Sequence, residues 1–337
     1  MIAELLRTRE AALHTRELIR MNGRRTTILI GCRPGAEYAG ISDRDALLDS
    51  ASKVRAVQAF VDRHDPDVIF TIAGVLNEAE SLGARYQFSD TGQATLLSSP
   101  LSGVERGDAF HPAPLGSSPL CAAVIGSLRE LVRLYPRKTV GATLLGPLSV
   151  AGQLLGVERM LVLSIENPAG LRGMLAVILD RVMEFMHAQV AAGARYLSIS
   201  EPSGSLLSPA SFRENCLPFL KELFASVTLP HHLHICGQTR RHLSLLKETG
   251  AQAISIDACV DLAAAGRIFG PETITLGNIE SAGVLLRGSP AEVARAAAVM
   301  MDSMAGIAEY IPATSCGIPR ATPAANIDAF LDVVRSR

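Results

Sequence analysis

Charge of either sign is what this sequence holds back. Its 337 residues carry 32 Lys and Arg against 33 Asp and Glu, a formal net charge of −1. No cluster of basic residues stands out, so charge-driven binding to nucleic acid or to a membrane surface is not expected. The N-terminal stretch MIAELLRTREAALHTRELIR is amphipathic and lacks the apolar core of a secretory signal. Long apolar runs are scarce as well. The longest uncharged one, Thr139 to Val157, is interrupted by four glycines, a proline and a glutamine. It reads as strand, Gly-Pro turn and helix rather than as a membrane span. Cysteines number six and are scattered: Cys32, Cys121, Cys216, Cys236, Cys259 and Cys316. In a cytoplasmic chain, thiols stay reduced, which points to metal binding or chemistry before disulfides. There is no internal repeat, and no linker divides the chain.

What is present is a large folded core. Hydrophobic residues make up 48% and charged residues 19%, the balance of a globular chain. Short β-branched or apolar runs recur in order, each followed by a polar turn. They are Thr26 to Cys32, Asp67 to Ala73, Val140 to Gly146, Tyr196 to Glu201, His232 to Cys236, Ala253 to Asp257, Thr273 to Asn278 and Glu309 to Ala313. Helical patterns lie between most of them: Leu171 to Ala192, Ser208 to Val227, Thr239 to Thr249 and Pro290 to Ala305. Eight alternating units predict an α/β fold, a single (β/α)8 TIM barrel. The competing arrangement is an open doubly wound sheet. A dinucleotide-binding version needs a glycine-rich loop after the first strand, and GCRPGAEYAG spaces its glycines wrongly for it. The expected organisation is an N-terminal helical extension over residues 1–25 and a barrel domain over 26–337. Residues 85–117, rich in Ser, Gly and Pro, are long enough to be a lid or binding loop.

Barrel enzymes place their chemistry at the C-terminal ends of the strands. The residues there are Cys32-Arg33, then Asn77, Glu78 and Glu80, Gly146-Pro147, Glu201, His234 and Cys236, Asp257, Asn278, and finally Cys316-Gly317. His234 and Cys236 are two apart, so one strand presents both on the same side. Cys316, after the last strand, can reach the pair. A histidine, two thiolates and one exchangeable position make a catalytic zinc site. A bare His-x-Cys pair is more often ordinary packing, and only the coincidence with Cys316 raises it above that. Cys32, Cys121, Cys216 and Cys259 read as ordinary cysteines. His231, His232 and His242 read as polar surface residues.

These residues carry a resemblance. The chain resembles the uroporphyrinogen decarboxylase superfamily, and within it the zinc-dependent corrinoid methyltransferases typified by the methylcobamide:coenzyme M methyltransferases. The matching segments include DPDVIF at Asp65 to Phe70, NEAESLGA at Asn77 to Ala84 and GPLSVAGQLLG at Gly146 to Gly156. Others are EPSGSLLSP at Glu201 to Pro209, HICGQT at His234 to Thr239 and SCGIPRATPAANI at Ser315 to Ile327. The resemblance implies zinc ligands at His234, Cys236 and Cys316. The decarboxylase branch carries an arginine-rich motif near the first strand and an aspartate after the second. Here only Arg33 and the sequence TIAGVL stand in those places.

The resemblance implies methyl transfer between a corrinoid and a small molecule. The second partner is a thiol acceptor such as coenzyme M, a methyl-ether or methylamine-type donor, or tetrahydrofolate. The direction of transfer stays open. Glu201, Asp257 and Asn278 are candidate catalytic residues lining the pocket, with Glu201 or Asp257 also open as the fourth zinc ligand beside water or substrate. A corrinoid-binding Asp-x-His-x-x-Gly motif is missing, since after Asp62 and His64 the glycine is replaced by Asp67. Methylcobalamin is therefore expected on a separate corrinoid-binding protein, docking near residues 85–117. A homodimer is compatible with the family. The alternatives are a decarboxylase-like lyase and a non-catalytic barrel that binds a tetrapyrrole or another small ligand.

Overall fold

The computed structural model describes residues 25–89, 92–102 and 114–337. The expected N-terminal helix falls outside the described residues, and so does the middle of the expected lid, 103–113. A parallel sheet of seven strands forms the frame, in the order β1-β4-β5-β6-β7-β8-β9. These are β1 (Val68–Phe70), β4 (Thr139–Leu145), β5 (Tyr196–Ser200), β6 (His231–Ile235), β7 (Ala253–Ile256), β8 (Ile274–Ile279) and β9 (Tyr310–Thr314). A separate antiparallel pair, β2 (Arg85–Phe88) and β3 (Ala94–Ser98), occupies the start of the expected lid, with β3 exposed throughout.

The first expected strand is the one that does not form as a strand. Residues 26–30 are extended but make a single parallel bridge, Ile28 to Ala313 of β9. On the other side the Thr27 N–H donates to the Asp67 carboxylate, 2.9 Å, instead of to a strand carbonyl. The Ile30 N–H likewise goes to the Thr314 hydroxyl, and Gly31 turns the chain at φ +85°. Side chains took over the ladder bonds, so the segment joins the edges β1 and β9 without extending the regular sheet.

Alternation along the strands builds two cores. Leu197, Ile199, Leu233, Ile235, Ile254 and Ile256 face the helices and belong to the main cluster. Ile28, Val68, Phe70, Tyr196, Ile274 and Ile311 fill a second cluster among the strands. Outside lie the helices, whose starts follow local chemistry. Pro290–Ser303 opens with a capping box between Ser289 and Glu292, and Pro168–Ala191 is capped by Asn167. The single helix expected over 208–227 is two, Pro209–Asn215 and Leu217–Ala225. Pro218 follows the break at Cys216, because a proline is tolerated in a first turn and not in a helix interior.

The uncharged run from Thr139 resolves as expected, into β4, Gly146 and the helix Pro147–Leu155. Among the described residues no single helix is long and apolar enough to cross a membrane, and the pair Pro147–Leu155 and Val157–Glu166 is bent by 111°. Lys53 is fully buried and donates to the carbonyls of Ala46 (3.0 Å) and Ile72 (2.6 Å). Burial pulls its ammonium down to about 7. The clamp fixes the chain where β1 leads into the site.

Candidate metal centre

Strand β6 explains why three histidines and a cysteine crowd one stretch. Side chains alternate, so His232, His234 and Cys236 share the inner side while Leu233 and Ile235 pack outward. His232 lies one layer deeper than the other two and has no surface exposure. It is held by the Tyr196 hydroxyl (2.8 Å) and the Ser198 hydroxyl (2.9 Å), and burial pushes its imidazole down to about 3. The surface reading of His231, His232 and His242 is thus corrected. All three are buried. His231 stacks on Phe224 and meets the Leu229 carbonyl, and His242 meets the Leu207 carbonyl. His231 also accepts the Gln252 N–H (3.3 Å), and fixed hydrogen bonds of this kind are how a neutral imidazole is accommodated inside.

At the upper layer His234, Cys236 and Cys316 converge. Their ligand atoms lie within 4.8 Å of one another. His234 Nε2 is 2.9 Å from Cys236 Sγ, and the two sulfurs are 3.5 Å apart. Two thiolates bound at about 2.3 Å to one tetrahedral zinc stand ~3.8 Å apart. The sulfur spacing therefore matches the donor set without a strand having to move. The other ring nitrogen, His234 Nδ1, is 2.9 Å from the Ser255 hydroxyl, across the β6–β7 register. Such an outer partner fixes which nitrogen faces a metal. Cys316 is held through its backbone: its N–H donates to the Ser281 hydroxyl, which itself donates to the Cys316 carbonyl.

The thiols titrate as a pair. Hydrogen bonds from Cys236 and His234 hold the Cys316 thiol down, against burial. Cys236 is pushed up by its hydrogen bond to Cys316 and by burial. Two adjacent thiols beside an oriented imidazole are suited to a divalent, thiophilic cation.

Three further candidates have definite places. Glu201 is fully buried, and its oxygens accept the N–H groups of Leu148 (3.0 Å) and Ser149 (2.7 Å) and meet the Ser149 hydroxyl. It thereby caps the helix Pro147–Leu155. Gly146 leaves room for it: a Cβ there would lie 2.3 Å from Glu201 Oε2. Burial raises the Glu201 carboxyl to about 7, against these donors. Asp257 accepts the N–H of Gly237 (2.9 Å), the residue directly after Cys236. Asn278 donates to the carbonyls of Asp257 and Val260, both 3.0 Å. Among the described residues the metal cluster contains neither Glu201 nor Asp257. Asn278 lines a separate open pocket of about 610 Å³.

The triad forms part of the wall of a cavity of about 270 Å³. Much of the rest is apolar: Ile30, Ile72, Val75, Leu144 and Ile318. Glu78 and Thr143 also line it. Glu78 is fully buried, and burial raises its carboxyl to about 7. Sequence reasoning placed Glu78 at a strand end but gave it no role. Thr143 and Ser255 carried only the signal of polar residues at inward-facing strand positions. Ser281 carried none, since a π-helical turn, Ser281–Leu286, delivers it.

The chain is similar to several named proteins. A methylated-thiol–coenzyme M methyltransferase of Methanosarcina mazei is 26% identical over 260 residues, 75% of this chain and 68% of that protein. A methylcobamide:CoM methyltransferase of Methanosarcina barkeri is 31% identical over 189 residues, 55% of each. A uroporphyrinogen decarboxylase of Xanthomonas campestris is 26% identical over 262 residues, 73% of this chain and 72% of that protein. The match spans about half to two thirds of the curated methyltransferases' lengths. In fold, a methyltransferase from Methanosarcina mazei superposes with a TM-score of 0.86 at 21% identity, over 98% of this chain and 97% of that one. The uroporphyrinogen decarboxylase (URO-D) family matches residues 32–337, and the chain belongs to it.

Proposed function

We propose that this protein is a zinc-dependent methyltransferase that moves a methyl group between a corrinoid, carried on a separate protein, and a small molecule bound in the 270 Å³ cavity. The observation that carries the reading is the convergence of His234, Cys236 and Cys316 on that cavity, in a chain similar to named methylcobamide:CoM methyltransferases. His234, Cys236 and Cys316 would hold the zinc, leaving a fourth position for substrate. Bound there, zinc supplies Lewis acidity, which lowers the pKa of a thiol or polarises an ether oxygen.

The chain's own residues orient and enclose. Ser255 turns His234, and Ser281 holds the Cys316 backbone. Asp257 fixes the turn after Cys236 through Gly237, and Asn278 steadies the segment 257–260 that carries Asp257. Glu201 pins the helix that starts at the cavity rim, and the apolar wall excludes water. Segment 26–32 serves as the eighth stave of a (β/α)8 barrel. A decarboxylase reading fits less well. A tetrapyrrole polycarboxylate calls for several cations, and Arg33 is the one Lys or Arg among the lining residues.

The test is metal analysis of the purified protein with a methyl-transfer assay from methylcobalamin, free and on a corrinoid protein. About one zinc per chain and methylation of a thiol, or the reverse transfer from a methyl donor, is expected. A zinc-free protein, or a fully active Cys316→Ala variant, would end the proposal.

A further inference from the structure

Two polar atoms in the cavity wall have no partner. Glu78 accepts the Leu145 N–H with Oε1, 2.8 Å, and its Oε2 is unbonded. The hydroxyl of Thr143 is also buried and unbonded. Both residues line the cavity that holds the metal triad. They belong together: Thr143 and Leu145 are two apart on β4, and Leu145 is the residue that anchors Glu78. Buried polar groups are nearly always paired, so orphans beside an empty volume mark where a ligand's polar atom belongs. The triad lies across the sheet, since Leu145 pairs with Ser200 and Ser200 with His234. Two strand spacings separate those backbones, about 10 Å.

The charges around the cavity decide what kind of polar atom it is. Arg33, the one Lys or Arg in the lining, is half exposed and paired with Asp43 at 3.3 Å. Asp43 is also bound by Arg320. No free cation therefore faces the cavity among the described residues that line it. A buried charge on the ligand would be costly there unless paired.

We propose that Glu78 and Thr143 form the polar end of the substrate site and select an uncharged small molecule that carries a hydroxyl or ether oxygen, against anionic molecules of the same size. Glu78 in its acid form donates to that oxygen, while the substrate's reacting atom lies at the His234, Cys236 and Cys316 end. Burial raises the Glu78 carboxyl despite the backbone N–H groups of Leu145 and of Glu78 itself, which agrees with a donor. This deepens the methyltransferase reading and rests on it for the identity of the reacting end.

The experiment uses the full, zinc-loaded chain and alkanethiols of two to four carbons ending in a hydroxyl, a sulfonate or an ammonium. Binding is followed by titration calorimetry, and methyl transfer from methylcobalamin is measured separately. The hydroxyl thiols should bind tightest. Glu78→Leu and the isosteric Thr143→Val should each weaken them roughly two- to tenfold, the worth of one neutral hydrogen bond. The sulfonate thiols and the zinc content should stay unchanged, and Glu78→Gln, whose amide still donates, should keep most of the preference. If Glu78→Leu does not fold, Thr143→Val carries the test. A sulfonate or ammonium thiol that binds best overturns the proposal, as does an unchanged order in Thr143→Val. Binding in the expected order with no methyl transfer supports the anchor and refutes the methyltransferase reading instead.

Discussion

Replacing Glu201 separates a carboxyl that builds the site from one that performs chemistry. Its two oxygens take the N–H groups of Leu148 and Ser149, which stand in the first turn of Pro147–Leu155 and have no partner within that helix. Leaving a buried donor unpaired costs about 1–3 kcal/mol. Glu201→Ala strands both donors, so the loss is about 2–6 kcal/mol, a large share of the ~5–15 kcal/mol that holds a domain folded. Glu201→Gln keeps one carbonyl oxygen and turns an N–H₂ toward the other donor, so roughly half that loss is expected. Urea unfolding near pH 5, where the raised carboxyl of Glu201 is still mostly protonated in the folded chain, followed by circular dichroism, reads both values. Zinc content measured on the same samples shows whether the metal centre survives. A Gln variant with the wild-type unfolding midpoint that has lost zinc or methyl transfer would refute the capping role and make Glu201 a ligand or a catalytic group.

Cys316→Ala should fold with a near wild-type midpoint and purify without zinc, because two ligands remain and the core does not depend on the thiol; metal analysis decides it. Ser255→Ala should weaken zinc binding by about 10–100-fold, as removal of a ligand's outer partner does, in a chelator competition. Gly146→Ala puts a Cβ 2.3 Å from Glu201 Oε2 and should destabilise by about 1–3 kcal/mol through overpacking, measured in the same urea series. Burial raises the Glu78 carboxyl from 4.5 to about 7. The folded chain then keeps a proton that the unfolded chain releases, so stability is lost as pH rises from about 4.5 to 7. That difference corresponds to about 3 kcal/mol. Glu78→Gln cannot titrate and should gain that much on wild type between pH 4 and pH 8. Parallel stability profiles would refute the raised carboxyl.

The sequence by itself determined the strands from β4 to β9, because their apolar alternation and their bounding glycines and prolines are local properties. It singled out His234, Cys236 and Cys316, which the fold brings within 4.8 Å of one another, for a related reason. A period of two puts His234 and Cys236 on one side, and Cys316 follows the last strand. The same period placed His232 inside as well, yet a histidine in isolation reads as polar, and only the buried Tyr196 and Ser198 hydroxyls show what it is for. Other decisions needed the folded chain. Whether residues 26–32 form a strand depended on Asp67 and Thr314 taking the N–H groups of Thr27 and Ile30. Glu201, Asp257 and Asn278 all stand at strand ends, but where a carboxyl or amide points is set by the nearest unpaired donors and acceptors. For Glu201 these lie in the first turn after Gly146, 52 and 53 positions away in sequence. Glu78 gained its place in the same way, through one backbone N–H on β4, 67 positions distant. Pairings at such separations carry no local pattern, so they exist only once the sheet has brought the strands side by side.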